Sequence, residues 1–201
     1  MLQLVLASAN ESKLIEFRRI AKPYPLEIIL AKEIGFEQEI EELGDSFEAN
    51  ALHKAREVFR FNKEQYVIAD DSGLCVDALD GAPGIYSARF GSTAERLSAA
   101  ERNEYLLEIM KDVPAGERAA HFHCSIALIS PEAKEMIFDG TVHGSIRFSI
   151  AGQHGFGYDT IFQPDNLSVS MADLSDNDKD KISHRGIALR ACLDYLLKQV
   201  I

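Results

Sequence analysis

An α/β fold is what this 201-residue sequence predicts, and three observations carry the prediction. The chain opens with a short apolar run, a polar turn and the start of an amphipathic helix, in that order. A second run, Tyr66-Val67-Ile68-Ala69, has the length and β-branched content of a buried strand and stops at two adjacent carboxylates, Asp70 and Asp71. Carboxylates at the carboxyl end of a buried strand lie where open α/β sheets place their ligand crevice. Helix and strand patterns both recur toward the C-terminus, with a helix at 93–110, a strand at 119–130 and a final helix to about 198. The plain alternative for the acidic pair is a solvated turn between two strands.

Taken in order, Leu2 to Ala7 is apolar enough for a buried strand, and Ser8-Ala9-Asn10 leads into a helix carrying Leu14, Ile15, Phe17, Arg18 and Ile20. A strand, a turn and a helix N-terminus present backbone N–H groups and a positive dipole end to an anion. Lys13 in the first turn opposes that dipole, a conflict that a bound phosphate removes. The structural alternative is an Asn10 or Ser8 N-cap with Lys13 in solvent. Pro23 and Pro25 end the helix, and Leu26 to Ala31 reads as a second strand. From Glu33 to Glu48 there are seven acidic residues and no basic one, the pattern of a solvated, self-repelling loop. Asp45 and Glu48 have capping-box spacing, which leaves Glu41 and Glu42 as candidate Mg²⁺ ligands. The next helix, Phe47 to about Lys63, sets Phe47, Ala51, Ala55, Val58 and Phe59 on one core-facing side.

After the acidic pair come Ser72-Gly73, an apolar stretch from Leu74 to Leu79, and an irregular loop around Gly81, Pro83 and Gly84. Thr93 to Met110 reads as a helix closed by Pro114-Ala115-Gly116, and Ala119 to Ser130 as a long strand. His121 and His123 share a face there, a pattern of hydrogen-bonded strand histidines more often than of a metal pair. Glu135 to Ile150 reads as a hairpin broken at Gly140 and Gly144. In Gly152 to Asp159, three glycines interleaved with two aromatics suit a backbone that passes close to a planar ligand. A polar segment from Asp173 to Lys181 then leads to Ser183, an N-cap for a final helix to about Lys198.

Composition narrows the function. A hydrophobic fraction of 46% and a charged fraction of 26% are ordinary for a globular protein that forms one domain. A net charge of −11 argues against a nucleic-acid binder, yet leaves room for a nucleotide held by a few local cations and a divalent metal. Cys75, Cys124 and Cys192 lie far apart and form no CxxC pair, which fits buried thiols in a reducing cytoplasm and neither disulfides nor a thiolate zinc site. No apolar run approaches the ~20 residues that span a bilayer. The N-terminus lacks a basic leader and reads as a strand, not as a signal peptide.

Five segments together resemble the inosine/xanthosine triphosphate pyrophosphatases, which remove non-standard purine nucleotides. They are SANESK at 8–13, EELG at 41–44, IADDSGL at 68–74 with GAPGIYSARF at 81–90, GFGYD at 155–159, and KDKISHRG at 179–186. The resemblance implies a long mixed sheet flanked by helices, two lobes with a nucleotide cleft between them, Mg²⁺ as cofactor and a homodimer. It implies that Ser8, Ala9, Asn10, Glu11, Ser12 and Lys13 cradle the triphosphate. It makes Glu41 a Mg²⁺ ligand, Asp71 the second ligand and the catalytic base, and Ser72 a substrate contact. Phe156, Gly157, Tyr158 and Asp159 would form the base and sugar pocket, Lys179 would reach the phosphates, and His184 with Arg185 would read the base. Three positions depart from the family pattern: Ala49 for Glu, Thr160 for Pro after GFGYD, and Asp173 for Glu. Competing readings are a Maf-type nucleotide pyrophosphatase, a non-catalytic nucleotide sensor, and a Ser72-His184 hydrolase, the last opposed by the lack of a G-x-S-x-G elbow.

Overall fold

In a computed structural model of the chain, residues 2–92 and 97–200 are described. The elements are β1 (Leu2–Leu6), α1 (Glu11–Ala21), β2 (Leu26–Leu30), α2 (Phe47–Phe61), β3 (Tyr66–Val76), α3 (Ala99–Ile109), β4 (Ala119–Ile129), β5 (Glu135–Ile146), β6 (Phe162–Pro164), α4 (Asp176–Ile182) and α5 (His184–Val200). The strands form one sheet in the order β2-β1-β3-β4-β5-β6. Strand β1 is parallel to β2 and β3, with Leu4 opposite Ile28 and Tyr66, whereas β5 and β6 are antiparallel. The predicted α/β class with a mixed sheet is what forms.

The chain divides into two compact units, Met1–Asp71 with Cys124–Gly140 and Arg185–Ile201, and Ser72–His123 with Thr141–His184. The first unit is three-layered because its strands alternate. Leu4, Leu6, Ile28, Leu30, Ile68 and Leu128 pack with Phe17 and Ile20 of α1 and Leu189, Cys192 and Leu193 of α5. Their strand neighbours Val5, Ala7, Ile29, Val67, Ala69 and Ile129 pack on Ala51, Ala55, Val58 and Phe59 of α2. A period of two sends successive side chains to opposite faces, so near-continuous apolar runs serve both layers at once. The second unit has its own core of Leu74, Val76, Leu106, Met110, Phe122, Ile146, Tyr158, Ile161, Phe162 and Met171. Buried Arg118 ties this core together by donating to the carbonyls of Met110, Val113, Ile146 and Arg147.

Several expectations are corrected. Strand β3 does not stop at Asp70; it runs unbroken through Asp70, Asp71, Ser72 and Gly73 to Val76. A strand can carry two buried carboxylates in mid-run when each finds donors on its own face, as described below. Residues 135–150 form no hairpin of their own. Gly140 and Gly144 sit inside β5, with Gly144 opposite Pro164 of the short edge strand β6, a place that tolerates both residue types. The N-cap of α2 is Ser46, whose hydroxyl accepts from the Ala49 N–H at 3.1 Å, in place of the Asp45–Glu48 box. The polar segment folds as α4, capped by Ser175, and Ser183, in extended backbone, stands between the end of that helix and the start of α5 at His184, the predicted N-cap position. Residues 93–96 of the expected third helix lie outside the described residues, and α3 begins at Ala99 behind a Ser98–Glu101 capping box.

Candidate active site

Alternation along β3 separates the two adjacent carboxylates. Asp70 shares its face with Ile68, toward α1 and α5, and Asp71 shares its face with Val67 and Ala69, toward α2. Each therefore meets a different set of partners.

On the α2 side, Asn50 donates from Nδ2 to Asp71 Oδ2 at 3.0 Å, and Lys54 Nζ lies 3.3 Å from Asp71 Oδ1. Lys54 also reaches Glu42 Oε1 at 2.6 Å, so one ammonium is shared by two carboxylates. Asn50 Oδ1 accepts from the Gly44 N–H at 2.8 Å, which pins the acidic loop to the helix. Only glycine fits at 44, because a Cβ there would lie 2.7 Å from Asn50 Oδ1. As a result Glu42, and not the expected Glu41, is the member of the acidic pair turned toward Asp71; Glu41 is exposed. Burial pushes the Asp71 carboxyl above the usual carboxylate range, and the Glu42 charge adds to this against the pull of Lys54 and Asn50. Lys54 stays protonated: burial disfavours its charge, but Asp71, Asp70 and Glu42 outweigh burial.

On the α1/α5 side, Lys13 Nζ pairs with Asp70 Oδ1 at 3.0 Å and Arg185 Nε donates to Oδ2 at 3.1 Å. Arg185 Nη1 donates in turn to Glu16 Oε2 at 2.7 Å. This gives an alternating chain of Lys13, Asp70, Arg185 and Glu16, in which Asp70 and Arg185 are almost wholly buried and Lys13 keeps a 17% exposed side chain. Burial alone would raise the Asp70 pKa, yet Lys13, Arg185 and Lys54 together hold it well below the usual range. Lys13 is thus neither free nor in solvent. Arg185 engages Asp70 through Nε and Glu16 through Nη1, and withdrawing it would strand two buried carboxylates.

The 8–13 turn is self-capped. Asn10 Oδ1 accepts from the N–H groups of Ser12 at 2.9 Å and Lys13 at 3.3 Å, and Asn10 N–H donates to Ser8 Oγ at 3.1 Å. Glu11 is exposed and pairs with Lys32 at 3.2 Å, and Ala9 and Ser12 are exposed. The N-cap alternative therefore describes Asn10, while Lys13 faces Asp70.

In the second unit, Gly152, Gly155 and Gly157 all have positive φ. At Gly155 a Cβ would lie 2.2 Å from Asp159 Oδ2, so the turn closes only around glycine. Asp159 accepts from the Phe156 N–H at 2.7 Å and pairs with Lys179, whose ammonium lies 4.7 Å from the Phe156 ring centre. Phe156 keeps 39% of its surface in solvent. Tyr158 is instead a core residue, its hydroxyl donating to the Ser87 carbonyl at 2.8 Å, and burial raises its pKa to about 12. Lys179 is buried with Asp159, and His184 is buried with its ring stacked on Phe122 at 4.7 Å. Ser72 is half-buried on β3. His123 Nδ1 shares a hydrogen bond with Thr141 Oγ1 at 2.9 Å, the hydrogen-bonding reading for that residue, and the His121 ring lies 5.6 Å from the His143 ring.

Among the described residues no group of three or more His, Cys, Asp or Glu side chains gathers as a metal site. A Mg²⁺ ion needs no such cage, since it uses one or two carboxylates plus substrate phosphates. The donor chemistry fits: Asp71 and Glu42 are hard oxygen ligands that already converge on one cation, the Lys54 ammonium. Sequence reading missed Asn50, Lys54 and Glu16. Asn50 and Lys54 recur at i, i+4 beside the apolar stripe of α2, and that spacing was the available signal.

Oppositely faced carboxylates on one strand of a mixed sheet, each paired with positive charge on its own side, define an α/β protein whose acidic site gathers positive charge. Residues 4–195 match the profile of the Ham1 family, and the chain belongs to that family. It is 43% identical over 200 residues to the dITP/XTP pyrophosphatase of Caldanaerobacter subterraneus subsp. tengcongensis, covering 100% of this chain and 98% of that one. The dITP/XTP pyrophosphatase of Listeria monocytogenes serovar 1/2a is 40% identical over 190 residues, 94% of this chain and 92% of its own. The Ham1 protein of Staphylococcus aureus superposes with a TM-score of 0.86 at 37% identity, covering 98% of this chain and 99% of that one. The HAM1 protein of Coxiella burnetii gives 0.87 at 36% identity, with 98% and 100% covered. No helix among the described residues is long and apolar enough to cross a membrane.

Proposed function

We propose that this chain hydrolyses non-standard purine nucleoside triphosphates (ITP, dITP and XTP) to the monophosphate and pyrophosphate, cleansing the nucleotide pool. The observation that carries this reading is the division of labour on β3. Asp70 is locked between Lys13 and Arg185 and held ionised, whereas Asp71 has a raised proton affinity and one shared ammonium beside it. A carboxyl with raised affinity is the better proton acceptor for an attacking water. Asp71 takes that proton, Lys54 and Asn50 hold the carboxylate in place, and Lys13, held at Asp70, lends its charge to the phosphates. Asp71 with Glu41 or Glu42 holds Mg²⁺, which when bound supplies positive charge against the phosphoryl oxygens. Ser8 to Lys13 follow the triphosphate, Ser72 touches the substrate, Phe156 stacks on the base, and Gly157, Asp159 and Lys179 complete that pocket. His184 backs it through Phe122, and Tyr158 supports it from the core. Arg185, held by Asp70 and Glu16, reads the base. The resemblance extends this reading to a homodimer working in the cytoplasm.

The test is pyrophosphate release with Mg²⁺ from ITP, dITP and XTP beside ATP and GTP. A 6-keto oxygen distinguishes the first three from adenine, and a site built to donate to it should favour them over ATP by about 10²-fold or more in kcat/KM. Equal rates on all five would keep the reaction and remove the base selection. Tight nucleotide binding with no release would move the chain to the sensor reading.

A further inference from the structure

Thr160 stands where the resembling family has proline, and the structure gives that hydroxyl a partner. Asn103 of α3 is 3% exposed and donates from Nδ2 twice, to the Gly157 carbonyl at 3.0 Å and to Thr160 Oγ1 at 2.8 Å. Its two amide hydrogens are thereby used, while its Oδ1 makes no hydrogen bond among the described residues. The same loop is closed at its base by the Ala151 N–H donating to the Thr160 carbonyl at 2.9 Å. Gly157 follows Phe156 directly and has a left-handed φ of 67°, which sets the direction of its carbonyl. A carbonyl so turned needs a donor to keep its place, and Asn103 supplies one from a rigid helix.

We infer that Asn103 is a positioning residue that fixes the 152–160 loop, and with it the Phe156 ring, in the form that holds the nucleoside, with Thr160 as its second anchor in this chain. The inference rests on the proposed function, since it names what sets the pocket of that same site. Asn103 touches none of the Asp70 or Asp71 partners described above, so its removal acts on substrate capture and not on the proton transfer.

The experiment compares Asn103→Ala, Thr160→Val, Thr160→Ser and the Asn103→Ala/Thr160→Val double variant in steady-state hydrolysis of ITP, with hydrogen exchange of the 152–160 amides alongside. Leaving the Gly157 carbonyl without its donor should raise KM for ITP about tenfold, with kcat within about threefold of the parent. Thr160→Val should raise KM about threefold, Thr160→Ser should keep it, and the double variant should be no worse than Asn103→Ala, as expected of a shared interaction. Exchange across 152–160 should quicken in Asn103→Ala, Thr160→Val and the double variant, and stay parental in Thr160→Ser. A folded Asn103→Ala protein with parental KM and parental exchange would overturn the inference while leaving the proposed reaction standing. Should Asn103→Ala not fold, equal KM for Thr160→Val and Thr160→Ser would overturn it. A parent protein that hydrolyses no triphosphate would instead overturn the proposed function, and this deeper reading with it, even if loop exchange responds.

Discussion

The two faces of β3 at Asp70 and Asp71 give neighbouring carboxylates different partners. On one face a carboxylate sits between two cations, fully buried, in a chain of four alternating charges that ends at Glu16. On the other, a carboxylate shares a single ammonium with a second carboxylate and leans on one amide. Sequence adjacency thus says nothing about shared work, because a strand turns consecutive side chains a half-turn apart. The first face is saturated with opposite charge and makes a stable anion. The second is under-supplied with positive charge, which is the condition for holding a proton or a metal.

The sharpest break of this contrast is Asp71→Asn. Removing the proton acceptor should lower turnover roughly 10³-fold, the range of general-base removal. Stability measured by urea unfolding should change by only about 1 kcal/mol, because Lys54 keeps Glu42 as its partner. An Asp71→Asn protein with near-parental turnover would move the acceptor role off this face. Next in size is Asp70→Asn, where the order reverses. Taking one member from a buried, paired group leaves Arg185 under-compensated and should cost about 3–5 kcal/mol in unfolding free energy. A loss below about 1 kcal/mol would mean that the Lys13–Asp70–Arg185 chain contributes little, and the two faces would no longer be distinct.

Much of this was legible in the sequence. The apolar runs of β1, β2 and β4 and the stripes of α1 and α2 predict themselves from periodicity, and the IADDSGL segment marks the site before any geometry is known. What stayed hidden was hidden for physical reasons. The pair at 70–71 reads as the end of a strand, since uncompensated carboxylates do not lie in a sheet interior; the compensation comes from Arg185, 115 residues away in sequence. Glu16 reads as the polar side of α1 until Arg185 is seen against it. Asn50 and Lys54 read as the flank of a core-facing helix, and the contact of Glu42 with Lys54 goes with the tether between Gly44 and Asn50, which no spacing shows. The ion pairs of Arg185 with Asp70 and Glu16 could not be read from its motif.

The smallest effect, and the one most specific to the contrast, is its dependence on pH. Asp70 is depressed in the folded state, so between its folded and unfolded pKa values the unfolded chain binds more protons and stability rises with pH. Its contribution is therefore fully present above the unfolded value of about 3.9 and fades as the pH falls toward the folded one. Asp71 has the opposite sign. Its folded pKa is raised, the folded chain binds the proton more tightly, and its charge opposes folding at neutral pH until protonation relieves it. The gap in unfolding free energy between the parent and Asp70→Asn should stay constant from pH 7 to about pH 5 and narrow below about pH 4. The gap between the parent and Asp71→Asn should instead shift, in favour of the parent, as acid protonates Asp71 above the ordinary carboxylate range. Urea unfolding curves of the three proteins at matched ionic strength decide it. Two gaps that move in the same direction would show that both carboxylates experience one electrostatic environment, and that the faces of β3 do not divide the work.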